Sequence, residues 1–152
     1  MNESKLITAF DMDGVIVSDI NMDYNNPEQL EKIKQIRMVC EPIFRPHGTF
    51  VIITGRPENE HDQTWQWLEM YNVKPQRVFF KPEQYDFSKQ SIIDHKARTI
   101  RELNRTLYYG YVTKFVESDK TQVEGISKQV DIPVIHFPVF SSNALVHAGW
   151  WY

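Results

Sequence analysis

Two aspartates follow an apolar run near the N-terminus, in the stretch LITAFDMDGVIVSD at residues 6–19. Asp11 and Asp13 are separated by one residue, and Gly14 comes directly after them. Asp-x-Asp after a strand is a weak signal by itself, because aspartate also forms turns and caps helices. Two carboxylates at this spacing can nevertheless approach one site, so the pair is a candidate for reactive or metal-binding chemistry.

Three further apolar runs also end in hydroxyl or charged residues. The second run leads into Thr54-Gly55-Arg56, the third into Lys81 and the fourth into Glu117-Ser118-Asp119. In an open parallel sheet, ligands bind beyond the carboxyl ends of the strands, where the strand order reverses. The four runs together therefore predict a polar site at one edge of a sheet.

A cation is expected at that edge, because Asp11, Asp13 and Asp119 would otherwise repel one another. Mg²⁺ is the expected ion, since it takes oxygen ligands and keeps positions for waters and phosphate oxygens. Thr54 and the nearby N–H groups would then hold phosphate oxygens, and a lysine would offset the charge that develops on them. Lys96, early in a predicted helix, fits that role.

Two further residues are weighed for the same chemistry. Lys81, at the end of the third run, is the alternative to Lys96. His95 is expected to face solvent or cap a helix rather than bind a metal, because no second histidine or cysteine stands at a metal-binding spacing.

The apolar runs that carry these residues are short and nearly continuous, which is typical of strands buried on both faces. They cover residues 6–10, 50–53, 78–80, 112–116 and 134–137. Segments with helical period separate them. Strands that alternate with helices predict right-handed crossovers and a three-layer α/β/α sandwich around a five-stranded, mainly parallel sheet.

Four helices are predicted from apolar stripes and end signals. Asn26-Pro27 supplies a cap and a first-turn proline for the first helix, and Asn72 supplies a left-handed C-cap for the second. Trp65 and Trp67 lie two apart and cannot share a face, so one should be core and the other partly exposed. The stripes are Leu30, Ile33, Ile36 and Val39; Trp65, Leu68 and Tyr71; Ile93, Ala97, Ile100 and Leu103; and Val123, Ile126 and Val130.

The composition is that of a soluble globular protein, with 41% apolar and 24% charged residues over 152 positions. We expect one domain over residues 1–152 and a cytoplasmic location, since no leader pattern or membrane-length apolar run is present.

A net charge of −3 argues against a general nucleic-acid binder, although residues 74–105 contain eight basic and only four acidic residues. Cys40, the single cysteine, is expected to be a core thiol in a reducing compartment.

The motifs together resemble the Mg²⁺-dependent phosphatase branch of the haloacid dehalogenase superfamily. AFDMDGVIV is similar to the first motif of that family and VIITGRP to the second. IIDHKARTIREL supplies the lysine of the third motif, and YVTKFVESDKTQVEGI is similar to the acidic fourth. The four motifs occur in the family's order and cover residues 6 to about 137.

The resemblance implies hydrolysis of a phosphomonoester through an aspartyl-phosphate, with Asp11 as nucleophile and Asp13 as general acid and base. The residues implied to hold Mg²⁺ are Asp11, Asp13 through its main-chain carbonyl, and Asp119. The residues implied to hold the substrate are Thr54, Gly55, Arg56 and Lys96. The fourth motif departs from the common Asp-Asp or Gly-Asp pattern, and Glu117 is expected to be a partner of the metal ligands rather than a ligand.

The spacing of the motifs leaves no room for a cap domain, because about forty residues separate Asp13 from Thr54 and a similar number separate Thr54 from Lys96. Capless relatives generally act on large substrates such as nucleic-acid ends, or borrow a lid from another subunit of a homo-oligomer. SDKTQVEGI and VIITGRPENEHDQTWQWLEMYNV are similar to the 3′-phosphatase domain of polynucleotide kinase-phosphatases. A polynucleotide 3′-phosphatase is therefore one expectation. A small nucleotide or sugar-phosphate phosphatase and a noncatalytic binding module are the alternatives.

The C-terminal aromatics, Trp150, Trp151 and Tyr152, could stack on a base. Such a terminal cluster more often packs onto its own domain or onto a partner subunit. No base stacking is inferred from it.

Overall fold

A computed structural model describes residues 5–19, 26–82, 86 and 88–137. Its centre is a five-stranded sheet of order β3-β2-β1-β4-β5, in which every neighbouring pair is parallel. The strands are β1 (Leu6–Phe10), β2 (Phe50–Pro57), β3 (Val78–Lys81), β4 (Tyr111–Glu117) and β5 (Val134–His136). The helices are α1 (Pro27–Val39), α2 (His61–Met70), α3 (Lys89–Thr106) and α4 (Lys120–Ser127), and a 3₁₀ turn (Glu58–Glu60) leads into α2. The predicted three-layer α/β fold with its five-stranded parallel sheet is confirmed.

The sheet separates two apolar cores because successive side chains of a strand point to opposite faces. In β2, Phe50 and Ile52 join one core while Val51 and Ile53 join the other. Trp67 and Leu68 of α2 cover the first core. Buried residues of α3 and α4 cover the second. The alternation explains why the strands appear in the sequence as continuous apolar runs.

Helix α1 begins as predicted but buries a different face. The Asn26 side chain accepts a hydrogen bond from the N–H of Glu28, and Pro27 is the first helical residue. The predicted stripe is wrong in its second half, since Ile36 is 41% and Val39 76% exposed. Arg37 is buried instead, four residues after Ile33 on the same face. The reason is electrostatic, because the buried carboxylate of Glu60 and the partly buried carboxylate of Asp13 pair with the Arg37 guanidinium.

The other three helices follow the predicted pattern more closely. Asn72 has a φ of 57° after α2, which confirms the left-handed C-cap. Trp67 is core and Trp65 is partly buried, as expected of residues two apart. All four apolar positions of the third stripe are buried in α3. In α4 only Ile126 is fully buried, and Val130 lies beyond the helix end.

The remaining expectations concern the strand ends and the tail. Strand β2 continues to Pro57, past the predicted end at residue 53, although its register against β3 shifts between Ile53 and Pro57. Cys40 is only partly buried and packs against the first core. The C-terminal aromatics fall outside the described residues. Within the described part of the chain, none of the helices has the length and apolar character needed to cross a bilayer.

Candidate active site

A cavity of about 120 Å³ opens at the carboxyl ends of β1, β2 and β4. The strand order reverses between β1 and β4, so this is the crevice in which open parallel sheets bind ligands. The predicted site residues that line the cavity are Asp11, Asp13, Gly55, Arg56, Lys96 and Asp119. Residues of β2 and α3 therefore meet residues that directly follow β1 and β4 at one sheet edge.

Asp11 is the first residue beyond β1 and is almost fully buried. Its Oδ1 accepts a hydrogen bond from the N–H of Met12 at 2.9 Å and lies 3.1 Å from Nζ of Lys96. Burial raises the pKa of Asp11 well above its usual range, and the neighbouring Glu117 carboxyl raises it further, while Lys96 lowers it. The carboxyl that the family resemblance implies as nucleophile is thus buried, and its burial and the neighbouring Glu117 favour its protonated form while Lys96 favours its ionised form.

Lys96 bridges two carboxylates from its place on α3. Its Nζ lies 2.6 Å from Oε1 of Glu117 and donates a 2.8 Å hydrogen bond to the side-chain oxygen of Gln122. Burial lowers the pKa of Lys96, but Asp11 and Glu117 outweigh burial and raise it above its ordinary value. Lys96 is therefore a permanent cation at the cavity wall.

Asp13 is held by two guanidinium groups. Arg56 donates from Nε to Oδ2 at 2.8 Å and from Nη2 to Oδ1 at 2.7 Å, which makes a bidentate pair. Arg37 reaches the same carboxyl with Nη2 at 3.4 Å. Burial raises the pKa of Asp13, yet Arg56 and then Arg37 hold it down at about 2. At neutral pH Asp13 is therefore an ionised acceptor in this geometry, without a proton to donate.

Glu60 completes this charged wall from the 3₁₀ turn before α2. Its side chain is 1% exposed, and its Oε1 accepts a hydrogen bond from Nη1 of Arg37. Arg56 uses its remaining Nη1 on the hydroxyl of Thr64, at 3.0 Å. Two carboxylates and two guanidinium groups thus alternate along one side of the cavity.

The fourth motif contributes three residues with different surroundings. Glu117 is fully buried, and its Oε2 accepts hydrogen bonds from the N–H groups of Ser118 and Asp119. The Ser118 hydroxyl donates to the main-chain carbonyl of Asp13 at 3.4 Å. Asp119 caps α4 by accepting from the N–H of Gln122, and its Oδ2 lies 3.3 Å from Nζ of Lys89.

Three residues weighed from the sequence lie apart from the cavity. Thr54 is fully buried and does not line the cavity, and its Oγ1 accepts a hydrogen bond from the N–H of Arg56 at 3.0 Å. Lys81 is buried at the end of β3 and does not line the cavity. His95 is buried and hydrogen-bonds to the carbonyl of Thr54 at 3.0 Å, so the expectation that it faces solvent or caps a helix is wrong. Its ring instead joins α3 to the sheet.

Sequence reasoning missed Arg37 and Glu60. A signal for Arg37 exists, because it stands four residues after Ile33 on the face of α1 that carries the apolar side chains. Glu60 lies in the polar run ENEHDQ, which offers no periodic cue to burial. Arg37 contacts Asp13, and Glu60 contacts Arg37, and both contacts join residues that are far apart in the sequence.

The donor set fits a magnesium ion that is held by few protein ligands. Among the residues that the structure describes, no three His, Cys, Asp or Glu side chains converge as a metal cage. Mg²⁺ typically uses one or two carboxylates and completes its shell with waters and phosphate oxygens. Asp11 and the carbonyl of Asp13 provide such a partial set beside Asp119 at the cavity. The carboxyls of Asp11 and Glu117 are in contact, and a cation would relieve their repulsion.

Comparisons with known proteins concern the fold alone. No family model and no curated protein matches the sequence. A chain of the Pnkp1/Rnl/Hen1 RNA repair complex matches with a TM-score of 0.57 at 14% identity, covering 90% of this chain and 44% of that chain. A second structure of the Pnkp1/Rnl/Hen1 complex gives a TM-score of 0.55 at 14% identity, with coverages of 86% and 45%. The chain therefore spans less than half the length of the chains that it matches and shares their fold.

Proposed function

We propose that this protein is a Mg²⁺-dependent phosphomonoesterase that works through an aspartyl-phosphate on Asp11. The observation that carries the proposal is the pairing of Asp11 with Lys96 at the wall of the cavity. Asp11 lies directly beyond β1 and its Oδ1 is 3.1 Å from the Lys96 ammonium. A buried carboxylate beside a fixed cation suits covalent attack on a phosphoryl group, since the cation stabilises the charge on the equatorial oxygens.

The proposed reaction has two steps and regenerates Asp11 at the end. In the first, an oxygen of ionised Asp11 bonds to phosphorus while the bond from phosphorus to the leaving oxygen breaks, and that oxygen takes a proton from Asp13. In the second, a water oxygen bonds to phosphorus while the bond from phosphorus to Asp11 breaks, which releases inorganic phosphate, restores the Asp11 carboxylate and returns a proton from the water to Asp13. Lys96 favours the ionised, nucleophilic form of Asp11 because it lowers the pKa of that carboxyl.

Asp13 is the proposed proton carrier, and the structure sets a condition on that role. Arg56 and Arg37 keep its pKa at about 2. A phosphoryl group that enters the cavity competes for the same guanidinium groups, since arginine binds phosphate and carboxylate with the same fork of donors. Once Arg56 turns to the phosphate, the pKa of Asp13 would rise toward its ordinary range, and Asp13 could exchange protons with the leaving oxygen and water.

Magnesium would be held by Asp11, the carbonyl of Asp13 and Asp119. When bound, it would supply Lewis-acid polarisation of the phosphoryl oxygens. Asp119 would first have to exchange its contact with Lys89 for the ion.

The proposed substrate is a nucleic-acid 3′ end that carries a phosphate. Two observations support this choice over a free nucleotide or sugar phosphate. The sequence resembles the 3′-phosphatase domain of polynucleotide kinase-phosphatases. The structures that share the fold belong to an RNA repair complex, which favours RNA among the nucleic acids.

The test is phosphate release by the wild type and Asp11→Asn, with and without Mg²⁺. The substrates are 3′-phosphorylated oligonucleotides, mononucleotides, sugar phosphates and an aryl phosphate. We expect Asp11→Asn to lower kcat by at least about 10³-fold, because it removes the nucleophile. Its stability should be equal or higher, because a buried, repelled carboxyl becomes neutral.

The matched control is Asp62→Asn, which changes an exposed aspartate outside the cavity. It should retain wild-type turnover. Turnover by Asp11→Asn at the wild-type rate would refute the assignment of Asp11. Folded wild type that binds Mg²⁺ but releases no phosphate from any substrate would favour the noncatalytic binding module.

A further inference from the structure

Oε2 of Glu60, at the cavity, is a buried carboxylate oxygen with no hydrogen-bond donor among the described residues. Glu60 is 1% exposed and lies among the residues that line the cavity. Its Oε1 is fixed by Nη1 of Arg37. Its Oε2 is buried and accepts no hydrogen bond from the described part of the chain. A buried carboxylate oxygen strongly requires a donor, because leaving it unpaired is costly in free energy.

The position of this acceptor is defined by Arg37. The same guanidinium that binds Glu60 through Nη1 reaches Oδ2 of Asp13 through Nη2, at 3.4 Å. Glu60 and Asp13 therefore lie on either side of one guanidinium group. Asp13 is the proposed proton carrier for the leaving oxygen, so Glu60 is next to the place where the leaving group would sit.

The surrounding charges favour a neutral donor over a cation. Asp13 and Glu60 carry two negative charges on this wall, and Arg37 and Arg56 carry two positive ones. The Glu60 carboxylate already pairs with the Arg37 guanidinium, so an amine or metal ion at Oε2 would add a second positive charge to the same carboxylate. A hydroxyl donates one hydrogen bond and adds no charge, which suits the balance.

We propose that Oε2 of Glu60 accepts a hydrogen bond from a hydroxyl on the carbon next to the one that bears the phosphate. The site would then select phosphomonoesters of vicinal diols, and at a polynucleotide end it would select the ribose 2′-hydroxyl beside a 3′-phosphate. This inference rests on the proposed phosphatase function and names its substrate class as an RNA rather than a DNA end.

The experiment compares two RNA oligonucleotides with a 3′-phosphate that differ only in the 2′-hydroxyl of the last nucleotide. We expect the wild type to prefer the ribose end by at least about 10²-fold in kcat/KM, because a site built for a hydroxyl is left unpaired by an analogue that lacks it. Glu60→Gln keeps an oxygen for Arg37 but loses the charged acceptor, and should reduce the preference by at least about 10-fold.

Binding provides a second readout that does not depend on turnover. The Kd of the Asp11→Asn variant for the same two oligonucleotides should favour the ribose end, and addition of Glu60→Gln should remove that preference. Glu58→Gln is the matched control, because Glu58 is exposed on the same 3₁₀ turn and does not line this cavity. It should keep the wild-type preference. Urea unfolding of each variant would show that the altered preference belongs to folded protein.

The outcomes separate this inference from the proposed function. Equal kcat/KM for the two ends, or an unchanged preference in Glu60→Gln, would overturn the role of Glu60 while phosphatase activity stands. Absence of phosphate release from every substrate would instead refute the phosphatase proposal. The same comparison of kcat/KM is made for a 3′-mononucleotide and its 2′-deoxy form. The same preference there supports recognition of the hydroxyl itself, and faster turnover of mononucleotides than of oligonucleotides would overturn the polynucleotide end as the substrate.

Discussion

Lys96 shows how one buried side chain determines the ionisation of the site. Its Nζ is within 3.1 Å of Asp11 and 2.6 Å of Glu117, and all three side chains are buried. One cation therefore serves two carboxylates: burial and the Glu117 carboxyl raise the pKa of Asp11 although Lys96 lowers it, and the two carboxyls raise the pKa of Lys96 although burial lowers it. Loss of Lys96 would leave both carboxyls buried without a counter-ion, whereas loss of one carboxylate leaves Lys96 paired with the other.

Replacement of Lys96 should show that the contributions of Lys96 and Glu117 to stability depend on each other. We expect Lys96→Met to lower the free energy of unfolding by about 3 kcal/mol, because two buried carboxyls lose their counter-ion. Glu117→Gln should destabilise less, since Lys96 keeps Asp11. The double variant should be more stable than the sum of the two losses predicts, by about 1 to 3 kcal/mol.

The measurement is a double-mutant cycle by urea unfolding at pH 7. Lys120→Met, an exposed lysine at the start of α4, is the control and should change stability little. Additive losses would contradict the bridging role of Lys96.

At the scale of elements, two turns meet beneath the site. The turn after β1 packs against the turn after β4, and Gly14 stands at the contact with a φ of 90°. A Cβ on Gly14 would lie 2.2 Å from Oγ of Ser118 and 2.8 Å from its Cβ. The close approach places the carbonyl of Asp13 beside the Ser118 hydroxyl. A residue with a side chain at position 14 would push the two halves of the site apart.

Gly14→Ala should therefore destabilise the protein by more than backbone strain alone. Gly48 is the matched control, because its φ is 75° and no atom of the described residues lies within 4 Å of the place that a Cβ would take. We expect Gly48→Ala to lower the free energy of unfolding by about 1 kcal/mol and Gly14→Ala by at least about 2 kcal/mol. The proposed phosphatase activity should fall in Gly14→Ala and stay at the wild-type level in Gly48→Ala. Equal losses of stability in urea unfolding would show that the contact with Ser118 is unimportant.

At the scale of the molecule, the two cores are joined through the sheet and His95 lies at one of the layer junctions. It projects from α3, where its ring hydrogen-bonds to the backbone of β2 at Thr54. Burial lowers the pKa of His95 to about 4, although hydrogen bonds to the backbone of Phe79 and Thr54 oppose the shift. The neutral imidazole is thus part of the attachment of the helical layer to the sheet.

Stability should depend on pH through this residue. The unfolded state binds a proton on His95 below about pH 6.5 and the folded state only below about pH 4, so stability is complete above pH 6.5 and is lost as the pH falls through this window. The loss attributable to His95 is about 3 kcal/mol, since each pH unit is worth about 1.4 kcal/mol. Urea unfolding between pH 7 and pH 4 would measure it.

The control for this prediction is His95→Gln, which removes the titrating ring. Carboxyl groups titrate in both proteins, so their effect cancels in the difference between the two pH profiles. Parallel profiles for wild type and variant would contradict the role of His95.

The sequence predicted the features that depend on local pattern. Short apolar runs predicted five buried strands, and helical stripes with end signals predicted the helices between them. The order of strands and helices then predicted the parallel sheet, and polar residues after the runs predicted a site at its carboxyl edge. The inferences about the strands, the helices and the parallel sheet succeeded because backbone hydrogen bonding and burial restrict short segments to few solutions. The chemical roles of Asp11, Asp13, Thr54, Lys96 and Asp119 stay predictions.

Only the tertiary structure decided which charges neutralise one another. Sequence spacing suggested that the acidic cluster required a cation, whereas the fold gives Asp11 the Lys96 ammonium and Asp13 the Arg56 guanidinium. Arg37 and Glu60 join from segments with no motif. Ion pairing depends on distances between side chains far apart in the chain, and burial strengthens it by removing water. The sequence by itself therefore determined the fold and the sheet edge at which the candidate residues gather, and the packing of the layers determined which of their charges are paired.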